Sequence, residues 1–188
     1  IMLTSTHSKE EKILLTIFNK FIKKHKNIQL IIAPRHSERC LEIKSICEQF
    51  NLSNIYESKI NDKKNLKEVI IIDSFGILNN YFEKSDIVVM GGSFVPSGGH
   101  NPIEPSLHNC AILTGPKLFN WEDVFDNMSI SKACIKVKSL EDLEININNL
   151  LISKEKINKL KTNAFNFAQK QFVDTNLLDK TINKYMRT

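Results

Sequence analysis

The chain has 188 residues, of which 41% are hydrophobic and 25% are charged, and this composition is typical of a single globular domain with a sizeable core. No uncharged apolar run approaches the roughly 20 residues that cross a bilayer, and four cysteines in a chain of this length exclude a disulfide-stapled miniprotein. The sequence opens on an apolar, strand-like stretch without the basic segment and cleavage site of a secretory signal. We therefore expect residues 1–188 to form one domain cut from a longer protein.

The net charge of +5 and the pI of about 9.0 would favour an anionic partner. The cations are almost all lysines scattered along the chain, and only Arg35, Arg39 and Arg187 are arginines. A dispersed, solvated lysine surface explains this pattern better than a nucleic-acid-binding face, which needs focused cations and stacking aromatics. No Cys-x-x-Cys occurs, and Cys40 and Cys47 would lie about 10 Å apart along a helix, which predicts reduced, buried thiols and a cytosolic setting.

The spacing of apolar residues alternates along the chain between the period of a strand and the period of a helix. The predicted strands cover residues 1–5, 29–33, 69–72, 87–90 and 111–113, and the predicted helices cover about 13–22, 40–50, 77–82 and 102–108. From Leu140 onward the apolar spacing is helical and predicts two or three closing helices. Because buried strands alternate with helices, we expect an α/β fold built on a doubly wound parallel sheet.

Polar and glycine residues follow three of the predicted strands. These segments are Pro34-Arg35-His36, Asp73-Ser74-Phe75-Gly76, and the long stretch from Gly91 to Pro105. Ligands of open α/β sheets bind beyond the carboxyl ends of the strands, so these segments are the candidate site. The long stretch holds four of the six glycines, whose backbone can approach a ligand and point N–H groups at an anion, although a plain structural turn is an equally good interpretation.

Several polar residues of these segments allow both a binding and a structural role. Asn101 is predicted to cap a helix that begins at Pro102, where free amides suit a phosphate. Glu104, in the first turn, either complements the helix dipole or accepts two hydrogen bonds from a ribose diol. Arg35 either pairs with Glu38 or binds a phosphate with both arms of its guanidinium group.

The histidines allow the same two interpretations. His36 and His100 could donate hydrogen bonds to an anion, although a loop or capping role explains each of them singly. His7 lies in a polar run, residues 4–8, whose hydroxyls could cap the first helix. The sequence contains no zinc-ligand spacing, no Walker A lysine motif, no G-x-S-x-G elbow and no strict G-x-G-x-x-G.

Taken together, these segments resemble one family. Gly91-Gly92-Ser93-Phe94-Val95-Pro96-Ser97-Gly98-Gly99-His100-Asn101-Pro102-Ile103-Glu104-Pro105 closely resembles the signature stretch of the 3-deoxy-D-manno-octulosonic acid (Kdo) transferases. The resemblance extends to Ser5-Thr6-His7 with Glu10-Glu11, to Pro34-Arg35-His36 with Glu38-Arg39, to Asp73-Ser74-Phe75-Gly76-Ile77-Leu78 and to Gly115-Pro116-Lys117-Leu118-Phe119-Asn120. It covers about residues 4–121 and implies the Rossmann-like C-terminal, donor-binding half of a two-domain GT-B glycosyltransferase.

The family transfers Kdo from CMP-Kdo to the lipid A precursor, at the cytoplasmic face of the inner membrane, in the lipopolysaccharide biosynthesis of Gram-negative bacteria. The resemblance implies that the membrane anchor, the acceptor site and a glutamate general base belong to an N-terminal half that this sequence does not contain. We therefore expect a soluble fragment that binds CMP-Kdo, carries no catalytic residue and is inactive alone. We also expect no cofactor, no metal, no nucleic acid partner, and membrane association only through the other half.

Carried over residue by residue, the resemblance implies a substrate-binding set. It would place the CMP base and phosphate near Pro34, Arg35, His36 and the turn at Ser74, Phe75 and Gly76. Ser93, Gly99, His100 and Asn101 would line the phosphate and Kdo, and Glu104 would hold the ribose hydroxyls. The set is completed by Ser5, Thr6, His7 and Gly92.

The chain departs from many relatives at Leu107-His108-Asn109-Cys110, which stands where they have a turn with Trp and Gly. Asn109 can replace the glycine because asparagine tolerates a left-handed backbone. Three alternatives to the Kdo transferase interpretation stay open from the sequence: another GT-B enzyme that uses a UDP-sugar, a non-catalytic sugar-nucleotide sensor, and a basic nucleic-acid-binding module.

Overall fold

Short strands lie side by side in one sheet. The computed structural model describes residues 1–25, 27–60 and 67–185, the stretch 172–185 as helix backbone only. The strands cover Met2–Thr6 (β1), Leu30–Pro34 (β2), Asn54–Tyr56 (β3), Val69–Ile71 (β4), Ile87–Met90 (β5), Ala111–Thr114 (β6) and Cys134–Lys136 (β7). In the described residues these seven strands have the order β3-β4-β2-β1-β5-β6-β7, and every neighbouring pair is parallel. The predicted parallel sheet is confirmed.

Helices connect and close the sheet. They cover Glu10–Lys24 (α1), Cys40–Gln49 (α2), Leu78–Phe82 (α3), Ile103–Leu107 (α4), Glu122–Ile130 (α5), Leu140–Leu151 (α6) and Lys154–Tyr185 (α7). The first helix forms as its spacing predicts, because Leu14, Phe18 and Phe21 repeat on one face and are all buried. The predicted closing helices are α6 and α7, and α7 packs against α4 and β6.

Each face of the sheet has its own apolar core. Neighbouring strand residues point to opposite faces, so Leu3 and Ile32 join one core while Met2 and Ile31 join the other. The first core includes residues of α1, α2 and α6, and the second includes residues of α3, α5 and α7. Helices therefore cover both faces, as a doubly wound sheet requires.

The four cysteines are buried and free, as predicted. Burial raises the pKa of Cys47, Cys110 and Cys134 to about 12, which makes them unreactive thiols at neutral pH. In the part of the chain that the structure describes, no helix is both long enough and apolar enough to span a bilayer.

The strand order creates a reversal between β1 and β5. From β1 the chain moves to one side, through β2, β3 and β4, and it then returns to β5 on the other side of β1. The loops that follow β1 and β5 therefore diverge and leave a crevice at the carboxyl edge. Open α/β sheets bind their ligands at such a reversal, and this edge is where the sequence places its polar residues.

Candidate functional site

Three histidines meet at this crevice. Nε2 of His7, in the loop after β1, lies 2.7 Å from Nε2 of His100, in the loop after β5. The two rings are nearly coplanar and meet end to end through these atoms, with centroids 5.0 Å apart and an interplanar angle of 17°. His36, after β2, approaches His7 edge-on at a centroid distance of 6.4 Å. The structure therefore brings together His7, His36 and His100, which the sequence predicts as site residues singly.

Gly92 makes room for the rings of His7 and His100. Its φ of +67° lies in the left-handed region, and a Cβ there would stand 3.1 Å from Cδ2 of His100 and 3.2 Å from Cδ2 of His7. A side chain at this position would be strained and would crowd both rings. Gly92 therefore belongs to the site through its shape rather than through a contact of its own.

Permanent positive charge lies beside the histidine pair. Burial, together with His7, Arg35 and His36, lowers the pKa of His100 to about 4. Burial and the neighbouring His36 lower the pKa of His7 as well. The ion pair with Glu38, one of the two alternatives for Arg35, is not among the salt bridges of the described residues, and Glu38 lies 4.0 Å from Nδ1 of His36. The exposed Arg35 side chain and the histidine pair thus form a surface suited to an anion.

A buried carboxylate holds the amides of the glycine-rich loop. Glu10 is 0% exposed and accepts hydrogen bonds from the backbone N–H groups of His7 (3.0 Å), Gly92 (2.8 Å), Ser93 (3.1 Å) and Phe94 (3.0 Å). Burial raises the pKa of Glu10, and the amides oppose that shift. The expectation that this loop points its amides at a bound anion is therefore wrong for Gly92, Ser93 and Phe94.

Ser93 and Gly99 are also engaged within the protein. Ser93 is fully buried, and its hydroxyl donates to the carbonyl of Met90 (2.6 Å) while accepting from the N–H of Gly115 (2.8 Å). The N–H of Gly99 donates to the carbonyl of Gly92 (2.9 Å). The structure gives Ser93 and Gly99 a role in shaping the loop. It does not support the predicted contacts of these residues with the phosphate and the sugar.

A second carboxylate ties the loop after β2 to α1. Arg39 binds Glu11 with both arms of its guanidinium, at 2.5 Å and 2.9 Å, and the hydroxyl of Thr6 donates to the same carboxylate at 2.7 Å. Thr6 and Glu11 are buried, so the hydroxyl of Thr6 supports the site from beneath rather than facing a ligand. The sequence motifs contain Glu10, Glu11 and Arg39, but their supporting roles became visible only in the fold.

The end of β1 is irregular beside the site. The pairing of β1 with β2 shifts between Thr4 and Thr6, and Ser5 between them has a φ of +54°. Gly91 lies against this bulge, because a Cβ at Gly91 would stand 2.5 Å from the carbonyl oxygen of Ser5. Half-buried Ser5 is thus a strained residue at the crevice, and such bulges commonly re-aim side chains next to functional sites.

The turn after β4 forms a separate part of the candidate site. The hydroxyl of Ser74 donates to Glu57 at 3.2 Å, and Gly76 has a φ of +77°. Phe75 between them is 82% exposed, so its ring is free to stack on a flat ligand. Pro34, half-buried, ends the neighbouring strand β2 and pairs with Thr6 of β1. Because β4 lies next to β2, this turn lines the same sheet edge as the histidines.

The short helix α4 begins at Ile103, one residue later than the sequence predicts. The side-chain oxygen of Asn101 accepts from the N–H of Ile103 at 3.0 Å, which is the capping contact that the sequence predicts. Glu104 is exposed in the first turn, so both interpretations of it stay open. Asn109 has a φ of +57°, which confirms the left-handed turn predicted there.

The histidine cluster is not a metal centre in the described residues. No group of three or more His, Cys, Asp or Glu side chains in that part of the chain could hold a metal ion. Independence of the function from metal stays a prediction.

The fold and the position of the site are those of one class of protein, the Rossmann-like C-terminal domain of GT-B glycosyltransferases. The C-terminal CMP-Kdo binding domain of WaaA from Acinetobacter baumannii has the same fold, with a TM-score of 0.83 and 27% identity over 89% of this chain and 88% of that one. The C-terminal domain of a group 1 glycosyl transferase, LpcC, from Francisella tularensis shares the fold at a TM-score of 0.59 and 16% identity, covering 91% and 84% of the two chains.

Sequence comparison identifies the family. The 3-deoxy-D-manno-octulosonic acid transferase of Haemophilus influenzae is 33% identical over 157 residues, which are 83% of this chain and 37% of the relative. That of Rickettsia felis is 30% identical over 188 residues, 100% of this chain and 39% of the relative. No family model matches the chain. The chain belongs to the Kdo transferase family, and it spans 37–39% of the length of these two relatives.

Proposed function

We propose that this chain is the donor-binding domain of a Kdo transferase and binds CMP-Kdo at the crevice between β1 and β5. The observation that carries the proposal is the meeting of His7, His36 and His100 beside Arg35 at the strand reversal. A nucleotide phosphate is the anionic ligand that suits such a position in an α/β sheet. The similarity to a solved CMP-Kdo binding domain supports cytidine as the base.

In the proposed reaction this domain stabilises the leaving group. Inverting transfer of Kdo from CMP-Kdo to the lipid A precursor is a single displacement, during which negative charge develops on the CMP phosphate. Glu10 holds the backbone of His7 and the loop that carries His100, so these two rings need little rearrangement to meet that charge, and the exposed Arg35 adds a full positive charge beside them. The exposed ring of Phe75 is proposed to stack on the cytosine, and Glu104 to accept from the ribose hydroxyls.

The remainder of the activity is proposed for the whole enzyme rather than for this chain. Acceptor binding, the general base and association with the cytoplasmic face of the inner membrane would come from a further domain. On this proposal the isolated chain binds the donor, requires no metal and transfers nothing.

Titration of the 188-residue chain with CMP, UMP and AMP, with Mg²⁺ and with EDTA, tests the proposed donor. We expect saturable NMR shifts with CMP alone, centred on Arg35, Phe75 and Glu104 and unchanged by EDTA. A preference for UMP would replace the proposal with a GT-B enzyme that uses a UDP-sugar. Binding of none of the three nucleotides would contradict donor binding by this chain.

Two substitutions locate the site. Arg35→Ala and Glu104→Ala should each weaken CMP binding at least several-fold while leaving the melting temperature within a few degrees of that of the parent chain. Glu122→Ala is the matched control for Glu104, because Glu122 is also an exposed acid in the first turn of a helix, α5. Unchanged CMP affinity in both site variants would refute the assignment.

A further inference from the structure

The contact between His7 and His100 restricts the charge that the two rings can carry. Their Nε2 atoms are 2.7 Å apart, and a hydrogen bond at this distance needs a proton on one Nε2 and a lone pair on the other. The neutral pair satisfies this with one shared proton. A second proton can enter at the Nδ1 of the donating ring and leave the bond intact, whereas two imidazolium rings would have no lone pair between them. The pair can therefore hold a net charge of zero or one, but not two.

The surroundings of the pair keep it neutral when the site is empty. Arg35 and Arg39 are permanent cations near it, and His36 adds a further positive charge when protonated. Glu11 acts in the opposite direction, but it is already paired with Arg39. Glu10 faces the backbone N–H of His7 and spends its remaining acceptors on the glycine-rich loop. Positive charge and burial thus both disfavour the imidazolium form.

An anion in the crevice would reverse this balance. A negative phosphate within about 4–6 Å of an imidazole favours its protonated form and offsets the repulsion from Arg35. We propose that His7 and His100 act as one proton-sharing pair, which takes up a single proton when the donor phosphate binds. The inference rests on the proposed function, because it assumes a phosphate at this crevice.

Proton uptake gives the pair a defined part in the reaction. The neutral pair is a weak partner for a charged phosphate, while the singly protonated pair adds one full positive charge without breaking the contact that fixes both rings. That charge is in place before the bond from Kdo to the phosphate breaks, and it stabilises the CMP that leaves. The proton comes from solvent during binding and returns to solvent when CMP departs.

Calorimetric titration with CMP at pH 7.5, in two buffers of different ionisation enthalpy, measures the protons taken up per nucleotide bound. At this pH the CMP phosphate, with a second pKa of about 6, is already a dianion, so a proton that is taken up goes to the protein. We expect a positive uptake of no more than one proton, and a CMP dissociation constant that rises with pH above 7 by at most tenfold per pH unit. Cytidine, which lacks the phosphate, should cause no uptake.

Variants assign the proton to the pair. The double variant His7→Gln/His100→Gln should bind CMP more weakly and without proton uptake, while His36→Gln, from the same cluster, should bind more weakly with uptake retained. The ¹⁵N shifts of the imidazole rings in the parent chain give a second readout that needs no substitution, and they should report one imidazolium shared by His7 and His100 in the CMP complex.

The outcomes separate this inference from the proposed function. CMP binding by the parent chain without proton uptake, or uptake retained in the double variant and lost in His36→Gln, would overturn the proton-sharing pair and leave donor binding standing. Failure of the parent chain to bind CMP between pH 6 and 8 would overturn both.

Discussion

Glu10 is a buried acid whose acceptors are all used by the backbone. Four N–H groups converge on it from two loops, and three of them belong to the glycine-rich loop that carries His100. A carboxylate can accept all four hydrogen bonds, whereas the amide of glutamine offers one oxygen and opposes the other N–H groups with its own. The charge and shape of this one residue therefore set the conformation of the site.

Glu10→Gln should lower the free energy of unfolding by about 2 to 5 kcal/mol, because two of the four buried N–H groups lose their acceptor. Urea denaturation measures this loss. Glu141→Gln is the matched control, since Glu141 is exposed in the first turn of α6 and its substitution should leave the free energy of unfolding nearly unchanged. Equal losses in the two variants would show that the four hydrogen bonds do not determine the fold of the loop.

His100 should make the folded chain less stable in acid, because its pKa is lower in the folded chain than in the unfolded chain. Its pKa falls from 6.5 to about 4 on folding, because of burial and of positive neighbours. Between these values the unfolded chain binds a proton that the folded chain does not, so the free energy of unfolding decreases as the pH is lowered through this window. Above pH 6.5, His100 is neutral in the folded and in the unfolded chain, so it no longer makes the free energy of unfolding depend on pH.

The difference in unfolding free energy between the parent chain and His100→Gln should therefore change between pH 6.5 and pH 4, with the parent chain losing more stability as the pH falls. Taking the difference removes the titration of groups that do not contact His100, and it reports His100 together with its partner His7. Urea denaturation at several pH values measures it. A difference that stays constant over this window would mean that His100 titrates alike in the folded and unfolded chains.

At the scale of elements, the close approach of the chain after β5 to the end of β1 depends on a glycine. Gly91 follows β5, and a Cβ there would lie 2.5 Å from the carbonyl oxygen of Ser5 and 2.6 Å from that of Thr4, both in the backbone of β1. No side-chain rotation relieves such a contact, so the strands would have to separate. Gly76, after β4, is the natural comparison, because a Cβ there would meet nothing within 4 Å although its φ is +77°.

Gly91→Ala should destabilise the chain by about 3 kcal/mol or more, and Gly76→Ala by only about 1 to 2 kcal/mol, the cost of a left-handed alanine. Thermal or urea unfolding of both variants measures the contrast. If the two losses were equal, backbone strain alone would account for both, and the close approach of β1 and β5 would not be a constraint on the sequence.

The elements that the sequence predicts are those with a long apolar pattern. β2, β4, β5 and β6 were recognisable because buried central strands read as continuous apolar runs. β3 and β7 were missed because each is a three-residue strand at an edge of the sheet, mostly half-buried, with no run to detect. α5 was missed because only Phe125 and Met128 of it are buried, which is too sparse for a helical stripe.

The candidate site was predictable in position but not in its internal bonding. The loops could be assigned to one sheet edge because parallel strands end on the same side, and the resemblance supplied their residues. The roles of Glu10 and Ser93 could not be predicted from the sequence, because their hydrogen-bond partners are distant in the chain and because no local pattern shows that these two side chains are buried. Glycine-rich loops look alike whether their amides meet a ligand or a buried acid.

At the scale of the whole molecule, the two ends of the strands offer different surroundings to a ligand. The histidines lie at the carboxyl edge. Near the amino ends of the strands is a cavity of about 770 Å³, lined by residues that include Ile28, Gln29, Tyr81, Asp86 and Leu151. Charge and backbone geometry favour the crevice over this cavity as the anion site, since the cavity lies away from the strand reversal and from Arg35.

Hydrogen exchange in the presence of CMP distinguishes the two ends. A nucleotide held at the reversal contacts loops from several strands at once, so exchange should slow in residues 7–9, 35–37, 74–77 and 95–101 together, although these segments are far apart in sequence. Residues 27–29 and 83–86 beside the cavity should exchange at the same rate with and without CMP, and Arg35→Ala should reduce the protection at all four loops. Protection confined to the cavity segments would move the ligand to the opposite end of the sheet, because slowed exchange there requires contact or closure that binding at the carboxyl edge does not produce.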